Sequence, residues 1–181
     1  MKKALYLLTF MSIFAFTANA QNQKHHTAQG AGPMPQGSKQ INLGLGFSNY
    51  GMPIYGGMDF GVGSDITIGF ELGYQQHTEH YWKHRAFSAA AIGNYHFNRI
   101  LNIPNNWDFY AGLSIGYISW SHSWDHDGHH NEWDGDDYNS GLGLGLQVGG
   151  RYYFNNNWGI NLEFNGGNRI SGGRVGVSYK F

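Results

Sequence analysis

Seven of the ten histidines fall in two short stretches. One reads Gln75-Gln76-His77-Thr78-Glu79-His80-Tyr81-Trp82-Lys83-His84; the other, Trp120 to Asp137, sets His122, His126, His129 and His130 among Asp125, Asp127, Glu132 and Asp134. Neutral imidazole is a favoured ligand of Zn²⁺, Cu²⁺ and Ni²⁺, and adjacent carboxylates complete or orient such sites. His122, His126, His129 and His130 are therefore candidate metal ligands, with His77 to His84 approaching from the neighbouring stretch. Their spacing matches no fixed zinc signature, and the run from Asp125 to Asp137 lacks the full ligand order of a calcium-binding EF-hand. Beyond a divalent transition metal, the composition calls for no cofactor.

Two other chemistries share these stretches. Ser121, His122, Ser123 and Asp125 have the composition of a nucleophile, a base and an orienting acid, but geometry and not adjacency fixes such roles. The expectation is a protein that is not an enzyme, with lipid modification as the weaker alternative. Trp124 and Trp133 have the character of contact anchors for a partner, whereas Trp82 and Trp120 suit a membrane-interface belt. His96, alone within a strand pattern, reads as an interior hydrogen-bonding group.

The elements that must carry these residues follow from periodicity. From Gln40 onward the dominant period is two, and it recurs eight times. Ile41, Leu43, Leu45 and Phe47 mark the first strand, and Ile54, Met58, Phe60 and Val62 the second. The third carries Ile66, Ile68, Phe70, Leu72 and Tyr74; the fourth Phe87, Ala89, Ala91, Tyr95 and Phe97; the fifth Trp107 through Tyr117 at alternate positions. Leu142, Leu144, Leu146, Val148, Tyr152 and Phe154 mark the sixth, Trp158, Ile160, Leu162 and Phe164 the seventh, and Val175, Val177, Tyr179 and Phe181 the last.

Charges discriminate between the two faces. Asp59, Glu71, Asp108, Arg151, Glu163, Arg174 and Lys180 all have the parity opposite to their strand's apolar set. Lipid demands this, since a mid-bilayer Arg or Lys facing hydrocarbon costs ~2–4 kcal/mol. Glycine makes up 28 of 181 residues, against an ordinary ~7%, and much of it lies on the polar face. Aromatics reach 17% and charged residues only 13%, a composition suited to a lipid-facing exterior around a crowded interior. The expected fold is all-β: an eight-stranded, antiparallel, up-and-down transmembrane β-barrel. Its interior holds a charge network of Asp59, Glu71, Arg151, Glu163 and Arg174, each buried charge needing a partner.

The links alternate in length. Outer links are expected at 48–53, 75–86, 119–140 and 165–173, and inner ones at Gly63 to Asp65, 98–106 and Asn155 to Asn157, the middle one longer than the pattern prefers. Aromatics sort into an inner belt (Tyr95, Phe97, Trp107, Phe109, Tyr152, Phe154, Trp158, Tyr179, Phe181) and an outer one (Phe47, Tyr74, Phe87, Tyr117, Phe164), as rings settle at both bilayer interfaces.

Ahead of the barrel, Lys2 and Lys3, an apolar run from Ala4 to Phe16, and Ala18-Asn19-Ala20 read as a signal peptide over 1–20. Residues 21–39, rich in Gln, Gly and Pro, read as a flexible periplasmic lead-in, leaving 40–181 for the barrel. The chain has no cysteine and a net charge of −1. Disulfide and thiolate chemistry are absent, and no basic surface exists for nucleic acid.

The final segment, Arg174-Val175-Gly176-Val177-Ser178-Tyr179-Lys180-Phe181, resembles the C-terminal strand of OmpX/Ail-like and OmpA-type barrels. The resemblance implies a bacterial outer-membrane location among outer-membrane lipids. It also implies recognition of Val175, Val177, Tyr179 and Phe181 by the barrel-assembly machinery, and an internal Glu/Arg network. The implied role is structural, or surface contact with an extracellular protein through loops 75–86 and 119–140. Metal capture by the same loops is the alternative, and a lipid-modifying outer-membrane enzyme the second alternative.

Overall fold

The computed structural model describes residues 32–48, 51–79, 82–124, 140–168 and 171–181; the side chains at 78, 79, 82, 83 and 122–124 lie outside it. Eight strands follow one another: β1 (Lys39–Ser48), β2 (Ile54–Gly61), β3 (Ile66–Glu79), β4 (Trp82–His96), β5 (Trp107–Trp124), β6 (Gly141–Tyr153), β7 (Trp158–Gly167) and β8 (Gly172–Lys180). Each pairs antiparallel with the next, and β8 pairs with β1, so the sheet closes into a barrel without edges. Between β4 and β5 sits one helical turn, α1 (Asn98–Leu101).

Alternation along each strand produces the two surfaces. In β6, Leu142, Leu144, Leu146 and Val148 are 56–68% exposed on the outside, while Gln147 and Arg151 on the inside are 6% and 3% exposed. The outside is accordingly an apolar cylinder. At the end where β1 begins and β8 finishes, here the near end, Trp107 packs on Tyr152 and Phe109, and Trp158 on Tyr179.

The links at the near end are short and pinned. The ten-residue link between His96 and Trp107 holds α1, whose Asn98 side chain accepts from Phe109 N (3.1 Å) and donates to Trp107 O. Arg99 donates from Nε to Asp65 Oδ2 at 2.9 Å, and this bond raises the guanidinium pKa above its ordinary value. Local capping and one ion pair thus account for the length that the alternating pattern disfavours.

Three expectations are revised. The signal-peptide segment 1–20 and residues 21–31 lie outside the described residues, but 32–38 are not a loose tail. Met34 is 1% exposed, Lys180 Nζ donates to Pro33 O at 3.0 Å, and Gly61 N donates to Ser38 O at 2.9 Å. No side chain fits at Gly61, because the Pro35 carbonyl lies against it. The stretch corks the near mouth. At the far end, the described part of the expected loop 75–86 is strand, with β3 and β4 paired to Glu79↔Trp82, and the expected loop 119–140 begins as strand, since β5 stays paired to Trp124; residues 80–81 and 125–139 lie outside the described residues. Apolar alternation stops where the ladder leaves hydrocarbon, but backbone hydrogen bonding does not.

Candidate functional site

The inward-facing side chains build two charge clusters, one above the other. In the near half, Arg151 Nη2 donates to Asp59 Oδ2 at 2.7 Å and Nη1 to Asp108 Oδ2 at 3.1 Å. Its guanidinium lies 4.2 Å from the centroid of the Tyr110 ring. Asp108 and Arg151 are register partners on β5 and β6, whereas Asp59 reaches across the lumen from β2. Farther out, Arg174 is gripped by Glu163, its register partner on β8 and β7, and by Glu71 from β3. Tyr110 joins the two levels by donating to Glu163 Oε2 at 2.7 Å. The structure therefore brings Asp59, Glu71, Arg151, Glu163 and Arg174 into one column.

Neutral side chains fill what remains of the near half. Asn42 Nδ2 donates to Asp59 Oδ2 (2.9 Å), Ser178 Oγ to Asn42 Oδ1 (2.8 Å), Asn161 Nδ2 to Ser178 Oγ (2.9 Å) and Tyr55 OH to Asn161 Oδ1 (2.7 Å). His96 bridges Asp108 Oδ1 (2.7 Å, Nδ1) and Thr67 Oγ1 (3.0 Å, Nε2). This hydroxyl–imidazole–carboxylate row has the order of a nucleophilic relay. All three residues are at most 1% exposed, and Arg151 holds the other oxygen of Asp108. In this arrangement Thr67 is closed off from solvent, and the row is part of the buried interior.

The lumen tyrosines are the residues that sequence reading did not single out. Each lies over a glycine of a neighbouring strand. A Cβ at Gly149 would stand 2.5 Å from Tyr110 Cζ, one at Gly44 2.8 Å from Tyr55 Cε1, and one at Gly159 2.9 Å from Tyr153 Cδ1. The signal was the pairing of an inward Tyr with a Gly on the adjacent strand, and it needs the register to be seen.

The far half of the lumen differs. Gly73, Ser88, Ala90, Gly116, Gly143 and Gly145 line a cavity of about 140 Å³, with Glu71 and Arg174 also on its wall. Small side chains leave it unfilled. A larger, almost wholly apolar hollow of about 1000 Å³ is lined mostly by outward residues such as Ile68, Phe70, Leu113 and Leu146; it belongs to the lipid-facing wall.

Beyond the cavity, β3, β4 and β5 rise past the aromatic belt as a three-stranded wall. The five residues from Gln75 to Glu79 add about 17 Å at strand rise. His77 pairs with His84, and His84 with His122. His126, His129 and His130 lie outside the described residues. Positions 121 and 123 fall on the opposite face of β5 from position 122; the side chains at 122 and 123, and Asp125, lie outside the described residues. Among the described side chains no group of three His, Asp or Glu stands ready to hold a metal. Of the C-terminal set, Val175, Val177 and Phe181 face outward at 43–54% exposure, and Tyr179 stacks on Phe181.

No protein-family model and no curated protein matches the chain. Solved structures do. The outer membrane protein OprG of Pseudomonas aeruginosa aligns with TM-score 0.61 and 10% identity over 86% of this chain and 99% of its own. Ail, the attachment invasion locus protein of Yersinia pestis, gives 0.51 and 14% over 81% and 99%. This is the fold of the eight-stranded transmembrane barrels. A designed transmembrane β-barrel aligns as well, at TM-score 0.53 and 12% identity over 82% of this chain and 98% of its own. A designed relative shows that the transmembrane barrel is a solution of backbone geometry and patterning, so the shared fold specifies no task.

Proposed function

We propose that this transmembrane barrel sits in a bacterial outer membrane, near end to the periplasm, and serves the envelope by its structure and by surface contact through its far-end hairpins. The observation that carries this reading is the filled near half of the lumen. Eight strands enclose a space that side chains can fill, and here two arginines shared among Asp59, Asp108, Glu71 and Glu163 occupy it. With no through path, function belongs to surfaces outside the lumen. The wall formed by β3, β4 and β5 offers such a surface, with Gln76, Arg85 and Ser121 exposed on its outer face. Ail, an attachment invasion locus protein by name, ties one barrel of this fold to attachment. Metal capture by the same region stands as the alternative, and an enzymatic role has no assembled site among the described residues to support it.

The test is to cut back residues 77–84 and 121–138 to tight turns in cells that display the protein. Adhesion of those cells to one another and to host-cell monolayers should fall to the level of cells lacking the protein. The trimmed barrel should keep its heat-modifiable gel shift, the sign of a folded barrel. Undiminished adhesion with the wall removed would sink the surface-contact reading.

A further inference from the structure

The far-end wall places three histidines in one row. His77 of β3 stands directly opposite His84 of β4, and His84 directly opposite His122 of β5. Register sums are constant along both ladders, so no bulge shifts the row. Strand alternation puts positions 77, 84 and 122 on the inward face, the one that also carries buried Gln75, Ala86 and Ile118. Directly opposed residues hold their Cβ atoms about 4.5–5.5 Å apart, a spacing from which imidazoles on adjacent strands can converge on one ion.

A second feature of the same face points to a ligand. Gln75 is 3% exposed, and among the described residues neither its side-chain oxygen nor its nitrogen has a hydrogen-bond partner. A buried primary amide left wholly unpaired is costly, and such a group calls for a partner. It lies one inward position below His77, in the row Gln75–Ala86–Trp120.

We propose that His77, His84 and His122 form a site for one divalent transition-metal ion of the Zn²⁺ class, with Gln75 as its outer partner. Three nitrogen ligands suit Zn²⁺, Cu²⁺ or Ni²⁺ and leave a coordination position open. Gln75 pairs with a metal-bound water or with the free ring N–H of a ligand, the role that outer groups play in metal sites. His84, at 1% exposure, shields the centre from bulk water. Only His122 is shared with the set composed of His122, His126, His129 and His130, so the two ligand sets are separable.

The experiment is a Zn²⁺ titration of the refolded full barrel in nanodiscs, on a chain carrying His25→Asn and His26→Asn. One ion should bind per barrel with Kd of about micromolar or tighter. His77→Asn, His84→Asn and His122→Asn should each weaken binding by at least ~100-fold, and Gln75→Leu by about 10-fold. A triple His126→Asn, His129→Asn, His130→Asn chain should bind as before. Cu²⁺ electron paramagnetic resonance on the parent chain counts coupled nitrogens without any wall variant, and should find three. Binding that survives His84→Asn, that vanishes in the triple loop variant, that is no tighter than millimolar, or that shows fewer than three nitrogens overturns the proposal.

Discussion

At the scale of single residues, the lumen is organised by two arginines that each answer to two carboxylates. Parity in the sequence places Asp59, Glu71, Asp108, Arg151, Glu163 and Arg174 on the inward face. It does not say which meets which. Asp108–Arg151 and Glu163–Arg174 are neighbours through strand register, while Asp59 and Glu71 arrive from across the barrel. That second kind of contact depends on how the sheet closes, which no local pattern encodes. The buried arrangement has a sharp energetic consequence. Removing Arg151 leaves two carboxylates at 0–4% exposure without their shared guanidinium, a change that costs about 3–5 kcal/mol. Arg151→Leu should lower the urea-unfolding free energy in lipid vesicles by that amount, and adding Asp59→Asn with Asp108→Asn should restore most of it. A single variant within ~1 kcal/mol of the parent, the range of exposed pairs, would show that the column is solvated and not a packed core.

At the scale of elements, the strands were legible because lipid enforces a strict period of two. The apolar sets read from position alone coincide with the outward faces of β1 to β8, down to the weak set Phe87, Ala89 and Ala91 of β4. Strand ends at the far side were not legible. Gln75 to Glu79 and Ser119 to Trp124 lose the apolar alternation once the outer face leaves hydrocarbon, yet Thr and Trp remain good strand residues and the ladder runs on. The three-histidine row was hidden for the same reason, since His77, His84 and His122 become neighbours only when register is known. The near-end cork was missed because Gly32 to Ser38 has no period; Met34 is its one apolar side chain. The alternation itself invites a scan, helped by the absence of native cysteine. Cysteines introduced singly from Leu142 to Val148 and tagged with a fluorophore should be quenched by a lipid-soluble agent at 142, 144, 146 and 148 only. Quenching without period two would remove the membrane-facing assignment of β6.

At the scale of the whole molecule, the barrel is asymmetric along its axis. The near half is corked by residues 32–38 and filled by a hydrogen-bonded column, while the far half is hollow and opens beneath a wall of three strands. In the proposed reading such a body has no through path, and its far-end surfaces serve one side of the membrane. The measurement that bears most directly on this is single-channel recording of the purified protein in a planar bilayer. The closed column predicts no stepwise conductance above the bare membrane at moderate voltage. A steady, ohmic pore in the parent protein would contradict it, because ions would then be passing where Arg151 and Arg174 are held between their carboxylates.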